Sequence, residues 1–181
     1  MKNVKFLYDN FCHRRDAYTV MCDHPWQDRG NYYKRVYKPL TIELVEKHLT
    51  GDITIGVFPT RIEDQTARFA CFDVDHTEEA YLKKAIFWAK QYGNPIIEES
   101  GAEGRYHIWL LFEPKPLKEV RKIFEGKAGC GMDFFPNQDV VINDFYFELP
   151  IKLPLGWHRV AKCWSHFVDK DLKPMGIKNV L

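Results

Sequence analysis

The sequence predicts an α+β fold organised around a β-α-β-β-α-β run that begins near Ala67. Three observations carry the prediction. Residues 69–76, Phe-Ala-Cys-Phe-Asp-Val-Asp-His, form an apolar, aromatic run that reads as a buried strand. Residues 77–93 place Leu82, Ala85, Ile86 and Ala89 at helical spacing, with Glu78 and Glu79 in the first turn and Gly93 at the end. Two further apolar runs, 95–99 and 106–112, flank a Ser-Gly-Ala-Glu-Gly-Arg turn, and a second amphipathic stretch follows. This order is a split βαβ arrangement, an antiparallel sheet backed by two helices.

Taken in order, residues 4–8, 16–21 and 31–37 are short, aromatic and β-branched, and read as strands. Residues 40–49 read as a helix with the stripe Leu44, Val45, His48 and Leu49, stopped by Gly51. Residues 53–58 read as a strand closed by Pro59. These elements make an N-terminal α/β module of about residues 1–65, packed on the sheet that follows or extending it. The second module, about residues 66–169, is RRM-like in element order. Its strands are 67–75, 95–99 and 106–112; its helices start at Thr77 (as the cap) and run over 116–124, the latter burying Leu117, Val120 and Phe124. Short strands are expected at 132–135, 139–142 and 145–152, and a last one near 162–168. Nothing resembling a linker or repeat divides the chain, so one domain is expected, and residues 169–181 read as unfinished, as in a piece of a longer protein.

Composition narrows the class. A chain of 181 residues buries a core without staples, and five cysteines without a paired spacing argue against a disulfide scaffold. Cys12, His13, Cys22 and His24 fit no standard zinc spacing. No apolar leader or membrane-length run is present, so a cytoplasmic protein without membrane contact is expected. The net charge of +1 conceals an uneven distribution. Residues 1–40 carry eight Lys/Arg against four acids and residues 151–181 six against two, while the middle holds 12 against 19. An acidic centre between basic ends is what a metal site fed by phosphate-binding arms would show.

The chemistry gathers at strand ends. Asp73 and Asp75 lie two apart, so they share a face of the strand, and carboxylates so close repel unless a cation lies between them. Hard oxygen donors of this kind suit Mg²⁺ or Mn²⁺. Ser100 to His107 is a glycine-containing hairpin in which Arg105 and His107 can cradle a phosphate. Asp133, hemmed by aromatics, supplies a third acid, and Lys152, His158 and Arg159 a cationic group.

Together these segments resemble the archaeo-eukaryotic primase superfamily, and more closely its bacterial primase-polymerases from conflict-defence and CRISPR-associated systems. The first motif matches Phe72-Asp73-Val74-Asp75, the second Ser100-Gly101 through His107-Ile108-Trp109, and the third Met132-Asp133. Lys152-Leu-Pro-Leu-Gly-Trp-His-Arg159, Phe11-Cys-His-Arg-Arg-Asp16, His48-Leu-Thr-Gly51 and Ile55-Gly-Val-Phe-Pro59 resemble further family segments. Arg105 stands where many members have Ser, and Glu148 competes with Asp133 as third acid.

The resemblance implies template-directed nucleotidyl transfer: a DNA primase or primase-polymerase with Asp73, Asp75 and Asp133 holding two divalent ions, Mg²⁺ or Mn²⁺. It implies that Ser100, Arg105, His107, Lys152, His158 and Arg159 contact the incoming NTP or dNTP. Single-stranded DNA template and primer would lie over the N-terminal module, where Trp26, Tyr32, Tyr33 and Tyr37 offer stacking surfaces. Fused or associated helicase, nuclease or conflict-system domains are further expected partners. Two other readings remain at this level. Gly104 to Phe112 loosely echoes the aromatic strand of a non-catalytic RRM-like nucleic-acid-binding domain, and Asp73 to His76 could serve a metal-dependent phosphoesterase.

Overall fold

Alternation along one strand organises the molecule. In the computed structural model, which describes residues 2–26, 31–101, 104–127, 131–142 and 148–176, this strand is β5 (Thr66–Val74). Its Ala70, Phe72 and Val74 face one core, while Phe69 and Cys71 face another.

Earlier in the chain come α1 (Lys2–Phe11), β1 (Tyr18–Trp26), β2 (Asn31–Val36), α2 (Ile42–Thr50), β3 (Ile55–Val57) and β4 (Thr60–Arg61). After β5 come α3 (Glu79–Ala89), β6 (Ile96–Glu99), β7 (Tyr106–Pro116), α4 (Leu117–Arg121, continued by a 3₁₀ turn over Lys122–Phe124) and β8 (Asp133–Phe135). The short strands β9 (Ile151–Lys152), β10 (Trp157–His158), β11 (Cys163–Trp164), β12 (His166–Val168) and β13 (Pro174–Met175) complete the described chain.

The large sheet has the order β13-β12-β6-β7-β5-β4, and β8 pairs with the far end of the β5 edge that β4 occupies. On one face α3 and α4 cover Phe72, whose ring meets Phe124 and Phe134 edge-on at 5.2 and 5.5 Å. On the other, α1 and α2 bury Phe11, Phe69 and Trp109 in mutual contact, with Phe11 and Trp109 5.1 Å apart. Each such fully buried ring contributes about 2–3 kcal/mol by transfer from water.

The N-terminal strands do not extend the large sheet. They form a second one, β2-β1-β3-β9, in which β9 returns from late in the chain to pair with β3. This strand therefore fastens the residues after 150 to the N-terminal half.

Three expectations are corrected. Residues 4–8 are helical, because Val4, Leu7, Tyr8 and Phe11 recur at helical spacing and together face the core. Residues 139–142 form no strand: the side-chain amide of Gln65 takes the place of a neighbouring strand, donating to the Val141 carbonyl (2.8 Å) and accepting from its N–H (2.9 Å). The α3 cap is Glu78 rather than Thr77, without a side-chain capping bond. Of the expected 145–152 strand only β9 is seen, since 143–147 lie outside the described residues.

Candidate active site

Cross-strand register lines up one polar row. Glu98 on β6 pairs with His107 on β7, His107 with Asp73 on β5, and Asp73 with Asp133 on β8. At about 4.8 Å per strand this row is about 14 Å long. The next row on the same face, Ile96, Trp109, Cys71 and Phe135, is apolar and packs into the α1/α2 core. One step along the strands thus separates chemistry from core.

The row opens into a cavity of about 680 Å³. Asp73, Asp75 and Asp133 line it together with Ser100, Arg105, His107, Lys152 and His158, and Tyr32 and Tyr33 form its N-terminal wall. The residues read from sequence thus converge, with one exception. Arg159 points away: its guanidinium donates to the carbonyls of Gly51 and Asp52 and pairs with Asp23 at 3.7 Å. Its neighbour His158 takes the cavity side. The expectation that Arg159 meets a triphosphate is therefore corrected to a clamp that ties the β10–β11 hairpin to the end of α2.

Lys152 needs a similar correction. It lines the wall, but its ammonium turns inward to Glu98 (3.0 Å), Ser165 Oγ (2.8 Å) and the Leu153 carbonyl (3.2 Å). Ser100 closes the hairpin, its N–H and hydroxyl both donating to the Arg105 carbonyl. Arg105 itself reaches out, 3.6 Å from Asp75 and half-exposed. Tyr37 is exposed, and the Trp26 side chain lies outside the described residues.

The three carboxylates differ in state. Burial pushes the Asp73 carboxyl up to about 6, with Asp75 and Asp133 adding to the rise and His107 opposing it. Asp73 Oδ1 is buried without a hydrogen-bond partner, and His107 Nε2, 3.6 Å away, is too distant to supply one. A buried carboxylate oxygen without a donor, in a residue that shares a cavity with two more carboxylates, suits a hard dication. Among the described residues no three acidic, His or Cys side chains are already gathered closely enough to hold an ion.

Glu148, the rival third acid, stands elsewhere. Its carboxylate accepts the Thr60 N–H (3.0 Å) and the Thr60 hydroxyl, with Arg14 at 4.0 Å. Burial pushes it up to about 7 against those donors. It stitches β4 to the chain before β9.

His48 performs a related structural task. Its Nδ1 accepts the Ile55 N–H (3.0 Å), so Nε2–H donates to the carbonyls of Leu153 (3.0 Å) and Pro154 (3.1 Å). Burial lowers its pKa to about 3, with Lys152 adding to the effect. An unfolded chain takes up this proton below about pH 6.5 and the folded chain does not, so stability falls as pH drops from there toward 3. The stability advantage of the parent over His48→Gln, read from urea midpoints, should therefore shrink as pH falls from about 6.5 toward 3, and a difference that does not change with pH would contradict this.

Glu98 escaped the sequence reading. It looks like half of an ordinary polar strand end, Glu98-Glu99, yet it is completely buried. The available signal was its place two residues after Ile96, on the face that Trp109 packs against.

An α+β domain that brings three carboxylates, Arg105 and the rings of His107 and His158 to one cavity has the groups a primase-like nucleotidyltransferase uses. A model of the TOTE conflict system archaeo-eukaryotic primase domain matches residues 3–179, and the chain belongs to that family. The comparison with curated proteins returns no match. Among the described residues no helix is long and apolar enough to cross a membrane.

Proposed function

We propose that this chain makes or extends primers on single-stranded DNA by template-directed nucleotidyl transfer from NTPs or dNTPs. The observation that carries the reading is the polar row, with Asp73 and Asp133 in direct register, Asp73 lining the cavity and its buried Oδ1 unpartnered. In this reading Asp73, Asp75 and Asp133 hold two divalent ions, Mg²⁺ or Mn²⁺. Such ions, when bound, activate the primer 3′-hydroxyl and neutralise the departing pyrophosphate.

The protein's own groups position the rest. Arg105 exchanges its Asp75 partner for phosphate oxygens, the better bidentate match. His107 and His158 present ring nitrogens to the triphosphate, and Ser100 holds the turn that aims Arg105. Tyr32 gives a base a stacking surface at the cavity's N-terminal wall. The strand order β6-β7-β5-β8 with two helices on one face supports an RRM-like catalytic module over about 66–169, carrying the N-terminal module of about 1–65. Membership in a conflict-system family supports helicase, nuclease or similar domains as fused or associated partners.

The test is a single-stranded template with labelled ribo- and deoxyribonucleotides, with and without Mn²⁺. Metal-dependent, template-complementary incorporation is expected. Oligonucleotide binding indifferent to metal, without incorporation, would make the chain a binding module. Nucleotide hydrolysis independent of template would make it a phosphoesterase.

A further inference from the structure

We propose that Glu98 is a positioning residue for this reaction, accepting the His107 Nδ1–H inside the protein so that Nε2 is the nitrogen turned to the cavity, where an N–H would donate to a triphosphate oxygen. The inference rests on the nucleotidyl-transfer reading of the cavity. Glu98 Oε2 accepts from His107 Nδ1 (3.1 Å) and Trp109 Nε1 (2.9 Å), while Oε1 accepts from Lys152 Nζ (3.0 Å) and the Leu155 N–H (3.4 Å).

An indole N–H and an ammonium can only donate, and an ionised carboxylate can only accept. Burial would raise the Glu98 carboxyl, but the Lys152 ammonium and the His107 bond outweigh it and hold Glu98 well below the usual carboxylate range. Nδ1 of His107 must therefore carry its proton, and Nε2 is the nitrogen left facing Asp73 at 3.6 Å. The Trp109 ring, edge-on to the imidazole at 5.4 Å, restricts its plane. Through Lys152 the same carboxylate also fixes the Leu153-Pro154-Leu155 segment and Ser165. One buried acid thus sets the geometry of both the hairpin His and the segment that leads to His158.

Ring tautomers are read directly by long-range ¹H–¹⁵N correlation at mildly alkaline pH, with His107 assigned by loss of its signals in His107→Gln. The parent protein should show His107 protonated at Nδ1. Two charge-balanced variants then separate positioning from packing. Glu98→Gln/Lys152→Met keeps an acceptor for Nδ1–H and should keep that tautomer and a near-parental KM for nucleotide. Glu98→Leu/Lys152→Met removes the acceptor; the tautomer should shift, and KM should rise about tenfold or more with kcat little changed.

A folded apolar pair with the parental tautomer and KM would overturn the proposal, leaving Glu98–Lys152 a packing ion pair. If neither pair folds, the parent spectrum decides alone: Nε2–H at His107 overturns it. A parent protein with the Nδ1–H tautomer but no incorporation supports the ring geometry and instead refutes the nucleotidyl-transfer reading.

Discussion

Asp73→Asn is expected to abolish nucleotide incorporation and, in metal-free buffer, to raise the melting temperature. The first effect follows from removing the central carboxylate of the row, which should cost on the order of 10²–10³-fold or more in rate. The second follows from what Asp73 endures without a cation. Its folded pKa, about 6, lies above the ordinary 3.8, so the folded protein holds a proton there that the unfolded chain has released. Stability therefore falls as pH rises from about 4 through 6, and above that the ionised carboxylate destabilises the fold by about 1–3 kcal/mol. The neutral amide has no such charge to bury. A gain of a few degrees is expected near pH 7.5, read by thermal denaturation in EDTA. Mn²⁺ should reverse the order, stabilising the parent protein by mass action and leaving Asp73→Asn unmoved. A variant as active as the parent would remove Asp73 from the chemistry.

Gly156→Ala should be among the most damaging substitutions far from the carboxylates. A Cβ at this position would overlap the His48 imidazole, which is locked on three backbone groups and cannot yield. Either the ring abandons its bonds to Ile55 and Leu153 or the Leu-Pro-Leu-Gly segment moves away from α2. Overpacking of this kind costs about 3 kcal/mol, and the lost buried hydrogen bonds add to it. In a His48→Ala background the same glycine change should be nearly harmless. A double-mutant cycle by urea denaturation should thus give a coupling of about 2 kcal/mol or more. Additive effects would mean that ring and glycine do not meet.

Two separated motifs, His48-Leu-Thr-Gly51 and Leu153-Pro-Leu-Gly156, each supply one side of this contact. Neither segment alone reveals that, because His48 lies 105 residues before Leu153, whose carbonyl it bonds. The carboxylates were legible for the opposite reason. Asp73 and Asp75 end an apolar run at period two, a local pattern that fixes their common face.

Arg159 lies one residue past β10, in the turn that follows, so strand period could not place it; only the structure shows His158 on the cavity side and Arg159 bonded to Gly51 and Asp52. Lys152 was legible as a cation at the site but not as a cation already neutralised, because Glu98 lies 54 residues earlier in an unremarkable strand end. The helical α1 was hidden by its aromatic content, which imitates a strand over five residues and shows its period only over ten. The motif match favours Asp133 over Glu148 as the third acid; what the sequence could not show is that Asp133 stands in register with Asp73 while Glu148 is bonded to Thr60.

Mn²⁺ binding in the presence of a nucleoside triphosphate, followed by electron paramagnetic resonance of the free ion, tests the shared carboxylate site most directly. The parent protein should take up the metal, and Asp73→Asn and Asp133→Asn should each lose most of that uptake, while Glu148→Gln, once shown to be folded, retains it. Undiminished uptake by both aspartate variants would contradict the account.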